Sequence, residues 1–204
     1  MRLLLASASP RRAELLAAAG FDFEVQPADV DEAVRPGETP LAYVCRVAEA
    51  KAAAVLNPES RIPNPAPRVP NPESRNGIVV AADTVVVVDQ RILGKPADRR
   101  DAVRMLRLLS GRRHEVLTAV TAVRASQARL TRVQSTVVEL ASLSNDEIDW
   151  YVGTGEPFDK AGAYAVQGLA SRFVTRIEGS YSNVVGLPIA LVYAMLRELA
   201  GPEV

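Results

Sequence analysis

The chain has 204 residues, 48% of them apolar, enough for one well-packed α/β domain and too few for two independent ones. Its 24 basic and 24 acidic residues cancel, which argues against the general basic field of a protein that coats nucleic acid, while local cationic clusters suited to a small anion remain. The single Cys45 excludes an intramolecular disulfide, and no stretch nears the roughly 20 apolar residues of a membrane span; the expectation is a cytoplasmic protein with neither membrane nor nucleic-acid polymer as partner.

In chain order, Leu3 to Ala6 read as a buried strand, too short for the core of a signal peptide. Ser9 fits an N-cap and Pro10 the first turn of a helix that carries Leu15, Leu16 and Ala19 inward and stops at Gly20. Ser7-Ala8-Ser9-Pro10-Arg11-Arg12 thus spans a strand end and a helix start. Free N–H groups and the helix dipole favour an anion there, and the hydroxyls and guanidinium groups add donors. An ordinary capped helix with two solvated arginines is the even alternative, since two cations in a first turn oppose the dipole. Phe21 to Val25 alternate as a short strand, and the acidic turn Asp29-Val30-Asp31-Glu32 follows.

Thr39-Pro40 opens a helix to about Leu56 with Val44, Val47, Ala48 and Val55 on one face. Lys51 falls on that face, so it must snorkel out or meet an anion in a cleft. Residues 57–77 repeat Asn57-Pro58-Glu59-Ser60-Arg61 as Asn71-Pro72-Glu73-Ser74-Arg75, and their prolines predict an exposed insertion loop. Ile78–Ala82 and Val85–Val88 suit a strand covered on both faces, interrupted by Asp83-Thr84. A carboxylate there needs a cation, a set of donors or an open cleft; a metal would also explain the acidic turn as a second source of oxygen ligands. A bulge or hairpin turn leaving Asp83 in water is the alternative. In Leu93-Gly94-Lys95-Pro96, Gly94 permits an unusual backbone angle and Pro96 pins the exit, which would present Lys95 to a phosphate, although a solvated turn lysine is the plainer reading.

A helix over 98–109 buries Ala102, Met105, Leu106 and Leu109, and strands follow near Val116–Val123 and Val133–Leu140. Ser144-x-x-Glu147 is a capping box for a helix ending near Gly153; Arg172–Ile177 reads as a strand, and Pro188 starts a terminal helix through Leu199. Between them, Asp159-Lys160-Ala161-Gly162-Ala163-Tyr164 and Gln167-Gly168 form a small-residue segment. Gln167 offers a donor and an acceptor to a base edge, but composition alone favours a close helix–sheet contact. The segment 179–188 is placed to close a pocket. Cys45 and the only histidine, His114, form neither a catalytic dyad nor a zinc site, and His114 reads as structural. The alternation of strands and helices predicts one α/β domain with a mixed sheet.

Taken together, Leu5-Ala6-Ser7-Ala8-Ser9-Pro10-Arg11-Arg12, Val30-Asp31-Glu32, Glu49-Ala50-Lys51-Ala52, Ala82-Asp83-Thr84-Val85, Leu93-Gly94-Lys95-Pro96, Leu109-Ser110-Gly111 with His114, Asp159 to Tyr164 and Val185-Gly186-Leu187-Pro188 resemble the Maf family in order and over nearly the whole chain. Only the proline-rich insertion departs. The resemblance implies an elongated, two-lobed α/β fold similar to inosine triphosphate pyrophosphatases, with flanking helices, a central cleft, a homodimer, and magnesium or manganese as the divalent metal cation. It implies hydrolysis of a nucleoside triphosphate to the monophosphate and pyrophosphate, and the family is associated with arrest of cell division and septum formation. By the same resemblance Asp83 accepts the proton of the attacking water or holds the metal, and Glu32 shares the metal. Ser7, Ser9, Arg12, Lys51 and Lys95 hold the triphosphate, while Arg11, Thr84 and Gln167 recognise the base as in the dTTP- and UTP-specific branch. A nucleotide-binding division regulator and a pyrophosphatase for 7-methyl-GTP or another non-standard nucleotide are the competing readings.

Overall fold

The computed structural model describes residues 2–56, 77–124 and 129–201, so the insertion expected at 57–77 lies, apart from Gly77, outside the described residues. The architecture is organised around one strand. Ile78–Val88 (β3) is apolar on both faces, and its alternation decides what packs where. Ile78, Val80 and Ala82 meet Leu3 and Leu5 of β1 (Leu3–Leu5), Leu16 of α1 (Pro10–Ala18), and Val192, Met195 and Leu196 of the terminal helix. Further along the same face, Val86 and Val88 meet Met105, Leu106 and Leu109. The odd-numbered residues face α2 (Pro40–Leu56): Val79 and Ala81 pack on Ala52 and Val55, and Val85 and Val87 on Val44, Val47 and Ala48.

Each face is therefore split into two apolar patches, and the splits fall at Asp83 on one face and Thr84 on the other. The strand is not interrupted there, as the sequence had implied. Asp83 pairs with Ala119 and Thr84 with Thr118 in an unbroken antiparallel ladder, because the eight other residue pairs in register outweigh the local preference of two polar residues to turn. The remaining elements are β2 (Glu24–Val25), β4 (Arg91–Leu93), α3 (Arg99–Leu109), β5 (Arg113–Arg124), β6 (Arg129–Leu140), α4 (Asn145–Gly153), β7 (Val174–Glu178), α5 (Tyr181–Val185) and α6 (Ile189–Ala200).

The sheet is mixed, in the order β2-β1-β3-β5-β6-β7, with β1 parallel to β2 and β3 and the rest antiparallel. On its outer edge β3 is shared: β1 pairs with Ile78 to Val80, and β4 pairs with Val86 to Val88. Between them, residues 81–85 have no strand partner on that edge among the described residues. This opening in the ladder separates the two lobes, and the cleft lies over it.

Several local expectations are corrected. Helix α1 ends at Ala18 and Gly20 turns the chain away at φ +79°, so Ala19 is exposed rather than inward. Strand β2 has shrunk to two exposed residues, since it pairs with β1 alone at the sheet edge. Asp98 caps α3, and Ser144 with Glu147 forms the full capping box of α4. Gly94 does not adopt a left-handed angle; its carbonyl instead accepts a hydrogen bond from Gly162 N at 3.0 Å, and Gly162 is the residue at φ +69°.

Candidate active site

Asp83 is 6% exposed, in the middle of an apolar strand, and its Oδ1 lies 2.8 Å from the Lys51 ammonium. Lys51, on the buried face of α2, is drawn in by that carboxylate and also meets Glu32 Oε1 at 2.7 Å. Burial pushes the Asp83 carboxyl above its ordinary range; Lys51 and Arg12 oppose that rise, and Glu32 adds to it. Helix α2 also fixes the acidic stretch. Tyr43 donates its hydroxyl to the Glu32 carbonyl at 2.9 Å, and Arg46 Nη2 donates to the Ala33 carbonyl at 2.9 Å. Burial, with Asp83 and Glu32 nearby, pushes the Tyr43 phenol up to about 12, so it stays a donor.

On the other face of β3, Arg12 is buried and commits four hydrogen bonds to the protein. Nε donates to the Gly186 carbonyl (2.8 Å), Nη1 to Ser7 Oγ (3.1 Å) and to the Ala82 carbonyl (2.7 Å), and Nη2 to Thr84 Oγ1 (3.1 Å). The Ala82 carbonyl lies on the open edge of β3, so Arg12 satisfies a backbone group that no strand reaches. Of its five N–H groups one is left over among the described residues. Burial lowers the basicity of Arg12, with Asp83 and Glu32 opposing. Thr84 Oγ1 also meets Thr118 Oγ1 at 2.9 Å, and the Thr118 hydroxyl donates to the Asn183 carbonyl at 3.3 Å. Asn183, wholly buried on α5, donates from Nδ2 to the Val116 carbonyl (3.0 Å) and Thr136 Oγ1 (2.9 Å), so α5 and the Gly186 turn are pinned to β5 and β6.

Ser9 occupies the N-cap of α1, but its hydroxyl makes no cap bond; Ser7 Oγ accepts from Ser9 N at 3.2 Å instead. Lys95 and Gln167 are exposed from the opposite lobe. Ser7, Ser9, Arg11, Arg12, Glu32, Lys51, Asp83, Thr84, Lys95 and Gln167 all line one cavity of about 540 Å³, so the residues to which the family resemblance gives a role converge there. From the acidic turn only Glu32 does so: Asp31 Oδ1 accepts from Ala33 N at 2.9 Å, and Asp29 is exposed, so the turn is not the multi-carboxylate ligand source its composition implied.

Three further residues line the cavity. Asp159 and Lys160, read in the sequence only as members of a small-residue segment and a family motif, border it, and Asp159 pairs with Arg11; Tyr43, not singled out, lines it from α2. The signal for Tyr43 was in reach, since it sits two turns before Lys51 on the same helix. The pairing of Asp159 was not, because its partner lies 148 positions away.

Two carboxylate oxygens on one ammonium mark a spot held at negative potential, and hard oxygen donors are what magnesium or manganese takes. No cluster of three or more histidine, cysteine or acidic side chains occurs among the described residues, so Asp83 and Glu32 suit a metal that completes its shell with substrate oxygens and water.

A buried carboxylate held by an ammonium, with cations from both lobes around a cavity at a sheet opening, defines an α/β protein whose cleft suits a polyanion. The chain belongs to the Maf family: the Maf-like protein family matches residues 2–199. A dTTP/UTP pyrophosphatase of Anaeromyxobacter dehalogenans strain 2CP-1 is 52% identical over 204 residues, 98% of this chain and 95% of that protein. A dTTP/UTP pyrophosphatase of Koribacter versatilis is 49% identical over 197 residues, 97% of this chain and 94% of the relative. A solved Ham1 protein of Staphylococcus aureus aligns over 98% of this chain and all of its own with a TM-score of 0.49 and 15% identity. No helix among the described residues is long and apolar enough to cross a membrane.

Proposed function

We propose that this protein hydrolyses dTTP and UTP to the monophosphate and pyrophosphate, acting in the cytoplasm as a homodimer with a divalent cation. The observation that carries the chemistry is Asp83: a carboxylate kept in an apolar strand at a cost in stability, facing a cavity also lined by Arg11, Arg12, Lys51, Lys95 and Lys160. The choice of substrate is supported by relatives of about half identity that bear that name and by Arg11, Thr84 and Gln167 standing at the three places where the family resemblance sorts members by base.

Water attacks the α-phosphorus, the bond from that phosphorus to the oxygen bridging to the β-phosphorus breaks, and pyrophosphate leaves with that oxygen. Asp83 Oδ1 is engaged by Lys51, and the carboxylate accepts the proton of the attacking water. A carboxyl raised by burial is a better base near neutrality than an ordinary one. Asp83 and Glu32 would hold a divalent cation, which would supply charge stabilisation at the phosphate oxygens. Lys95, with no ion pair among the described residues, is free to meet the β- and γ-phosphates, and Ser7 and Ser9 supply donors at the helix start. Arg12 acts differently from the bidentate clamp its type implies. With four donors spent on the protein it contributes mainly fixed positive charge. Thr84, tied to Arg12, and Gln167 across the cleft flank the base together with Arg11.

Competition kinetics over dTTP, UTP, CTP, 7-methyl-GTP and inosine triphosphate test this reading. The expected order places dTTP and UTP first, Asp83→Asn loses about 100- to 10,000-fold in kcat while keeping its fold, and sizing gives twice the 21.9 kDa chain mass. Preference for a purine, or a fully active Asp83→Asn, overturns it.

A further inference from the structure

A carboxylate in the mouth of a polyanion site repels the ligand unless it serves another purpose, and this cleft contains one beyond the Asp83 pair. Asp159 lies on a turn of the lobe carrying α3 and α4, at the cavity wall. Its Oδ2 receives Arg11 Nη1 at 3.2 Å from the α1 side of the cleft, and its Oδ1 receives the ammonium of Lys160. One carboxylate thus spends its two oxygens on two cations, one from each wall. Both cations are more covered than the carboxylate between them: the side chains are 27% (Arg11), 14% (Lys160) and 64% (Asp159) exposed.

The turn bearing Asp159 is held from behind. Glu156 accepts hydrogen bonds from Leu169 N (2.9 Å), Ala170 N (3.3 Å) and the Tyr151 hydroxyl (2.9 Å), which closes the segment from 156 to 170 into a loop with fixed ends. Gly168 is required for that closure, since a Cβ there would stand 2.3 Å from the Glu156 carboxylate. Asp159 is therefore presented from a braced base, whereas Arg11 is a long side chain with no other hydrogen bond among the described residues. The pair orders the arginine. Burial pushes the Asp159 carboxyl up, but hydrogen bonds from Lys160 and Arg11 outweigh it and hold it below the ordinary range.

We propose that Asp159 is a positioning residue for nucleotide binding: by taking Arg11 on one oxygen and Lys160 on the other, it fixes across the cleft two cations that would otherwise repel each other, and leaves the outer edge of the Arg11 guanidinium free for the substrate. The cluster keeps a net charge of +1, so it still attracts a triphosphate. This inference rests on the nucleotide-hydrolase reading above and adds to it a residue that acts through Arg11 and never touches the reacting atoms.

The test uses the full chain with Asp159→Asn, Asp159→Glu, Arg11→Ala and the double variant Asp159→Asn/Arg11→Ala. Steady-state kinetics with dTTP are measured alongside calorimetric binding of a non-hydrolysable α,β-methylene dTTP. Asp159→Asn is expected to raise KM and the analogue Kd about three- to fivefold, the span a partly exposed ion pair carries, with a smaller change in kcat and an unchanged thermal midpoint. Asp159→Glu restores part of the loss. Added to Arg11→Ala, the asparagine change costs less than twofold, because the group it positions has gone. Unchanged Kd in Asp159→Asn overturns the inference, as does a full multiplicative loss in the double variant. Tighter binding by Asp159→Asn also overturns it and makes the carboxylate a competitor of the substrate. If the unaltered enzyme binds the analogue but releases no pyrophosphate from dTTP or UTP, the functional reading fails, while the Kd values still decide the role of Asp159.

Discussion

At Asp83 the physical chemistry of the residue runs against stability. A carboxyl whose folded-state pKa is raised above its unfolded value favours folding more as pH falls, so at neutral pH the ionised group is a liability that the fold carries. Lys51 offsets that liability through the 2.8 Å contact. Breaking a buried pair by deleting one partner is much worse than replacing both, since it strands the other charge. Lys51→Met is therefore expected to lower unfolding free energy by about 3–5 kcal/mol, whereas Lys51→Met/Asp83→Asn should recover most of the loss. Urea unfolding at pH 7 of the two single variants and the double variant checks this. Equal losses in Lys51→Met and the double variant would mean that Lys51 contributes only packing. The same reasoning explains why Lys51 was readable in outline from the chain alone: a lysine on the apolar face of a helix demands an anion, although nothing local says which.

Among the elements, the segment from Glu156 to Ala170 is built from short 3-10 turns under tight steric conditions. Gly162 sits at φ +69° with its Cα against Val86, where an added Cβ would lie 2.8–3.0 Å from three side-chain atoms of that valine. Gly162→Ala must bear both left-handed strain and the clash, and is expected to cost about 1–3 kcal/mol. Because the loop carries Lys160 and Gln167 to the cleft, KM for dTTP should rise with it. Val86→Ala in the Gly162→Ala background relieves the clash but not the strain, so it should return part of the stability and part of the KM. A second substitution that returns neither would locate the whole effect in the backbone. This segment also shows what the sequence could and could not convey. Helices with strong caps or faces, such as 40–56, 99–109 and 145–153, were legible because their signals lie within one or two turns. The small residues at 161–163 and 168 were legible as a close approach, but not as the two specific ones, Gly162 on Val86 and Gly168 on Glu156. The run of β3 through Asp83 and Thr84 was legible only in part: the sequence marks an apolar strand with a carboxylate in it, but not that its ladder continues unbroken. Its continuity comes from β5, whose pairing residues lie about 35 positions further on, and its open outer edge comes from where β1 stops and β4 begins. Site residues were identified by type; the opening that gathers them is a property of strand pairing.

Across the whole molecule, the lobes share one sheet and are bound by buried polar contacts as well as by apolar packing, and one of these involves the only histidine. His114 on β5 is 3% exposed, and its Nε2 lies 2.7 Å from the Tyr164 hydroxyl on the loop at the cleft wall. Burial pushes the imidazole down from 6.5 to about 4 and the Tyr164 phenol well above its usual value, so both are neutral at working pH. Between those two imidazole values the unfolded chain takes up a proton that the folded chain refuses. The stability His114 contributes is therefore whole above pH 6.5 and drains away as pH falls toward 4. Integrated between pH 7 and pH 5 the loss is about 2 kcal/mol, at 1.36 kcal/mol per pKa unit. Asp83, with its raised pKa, changes in the opposite sense over the same acidification, and the Glu38 carboxyl, held by Arg46, is pushed down to about 2, so the absolute curve mixes several groups. The difference between the native chain and His114→Gln isolates one of them, because glutamine keeps a hydrogen-bonding group for Tyr164 and cannot titrate. Urea unfolding of both proteins at pH 7 and pH 5 should show the native chain losing about 2 kcal/mol more than the variant. As the chain has a single histidine, its imidazole proton resonance reports the pKa directly. Parallel stability curves for the two proteins, or a resonance titrating near 6.5, would place His114 in contact with water and remove it from the seam between sheet and loop.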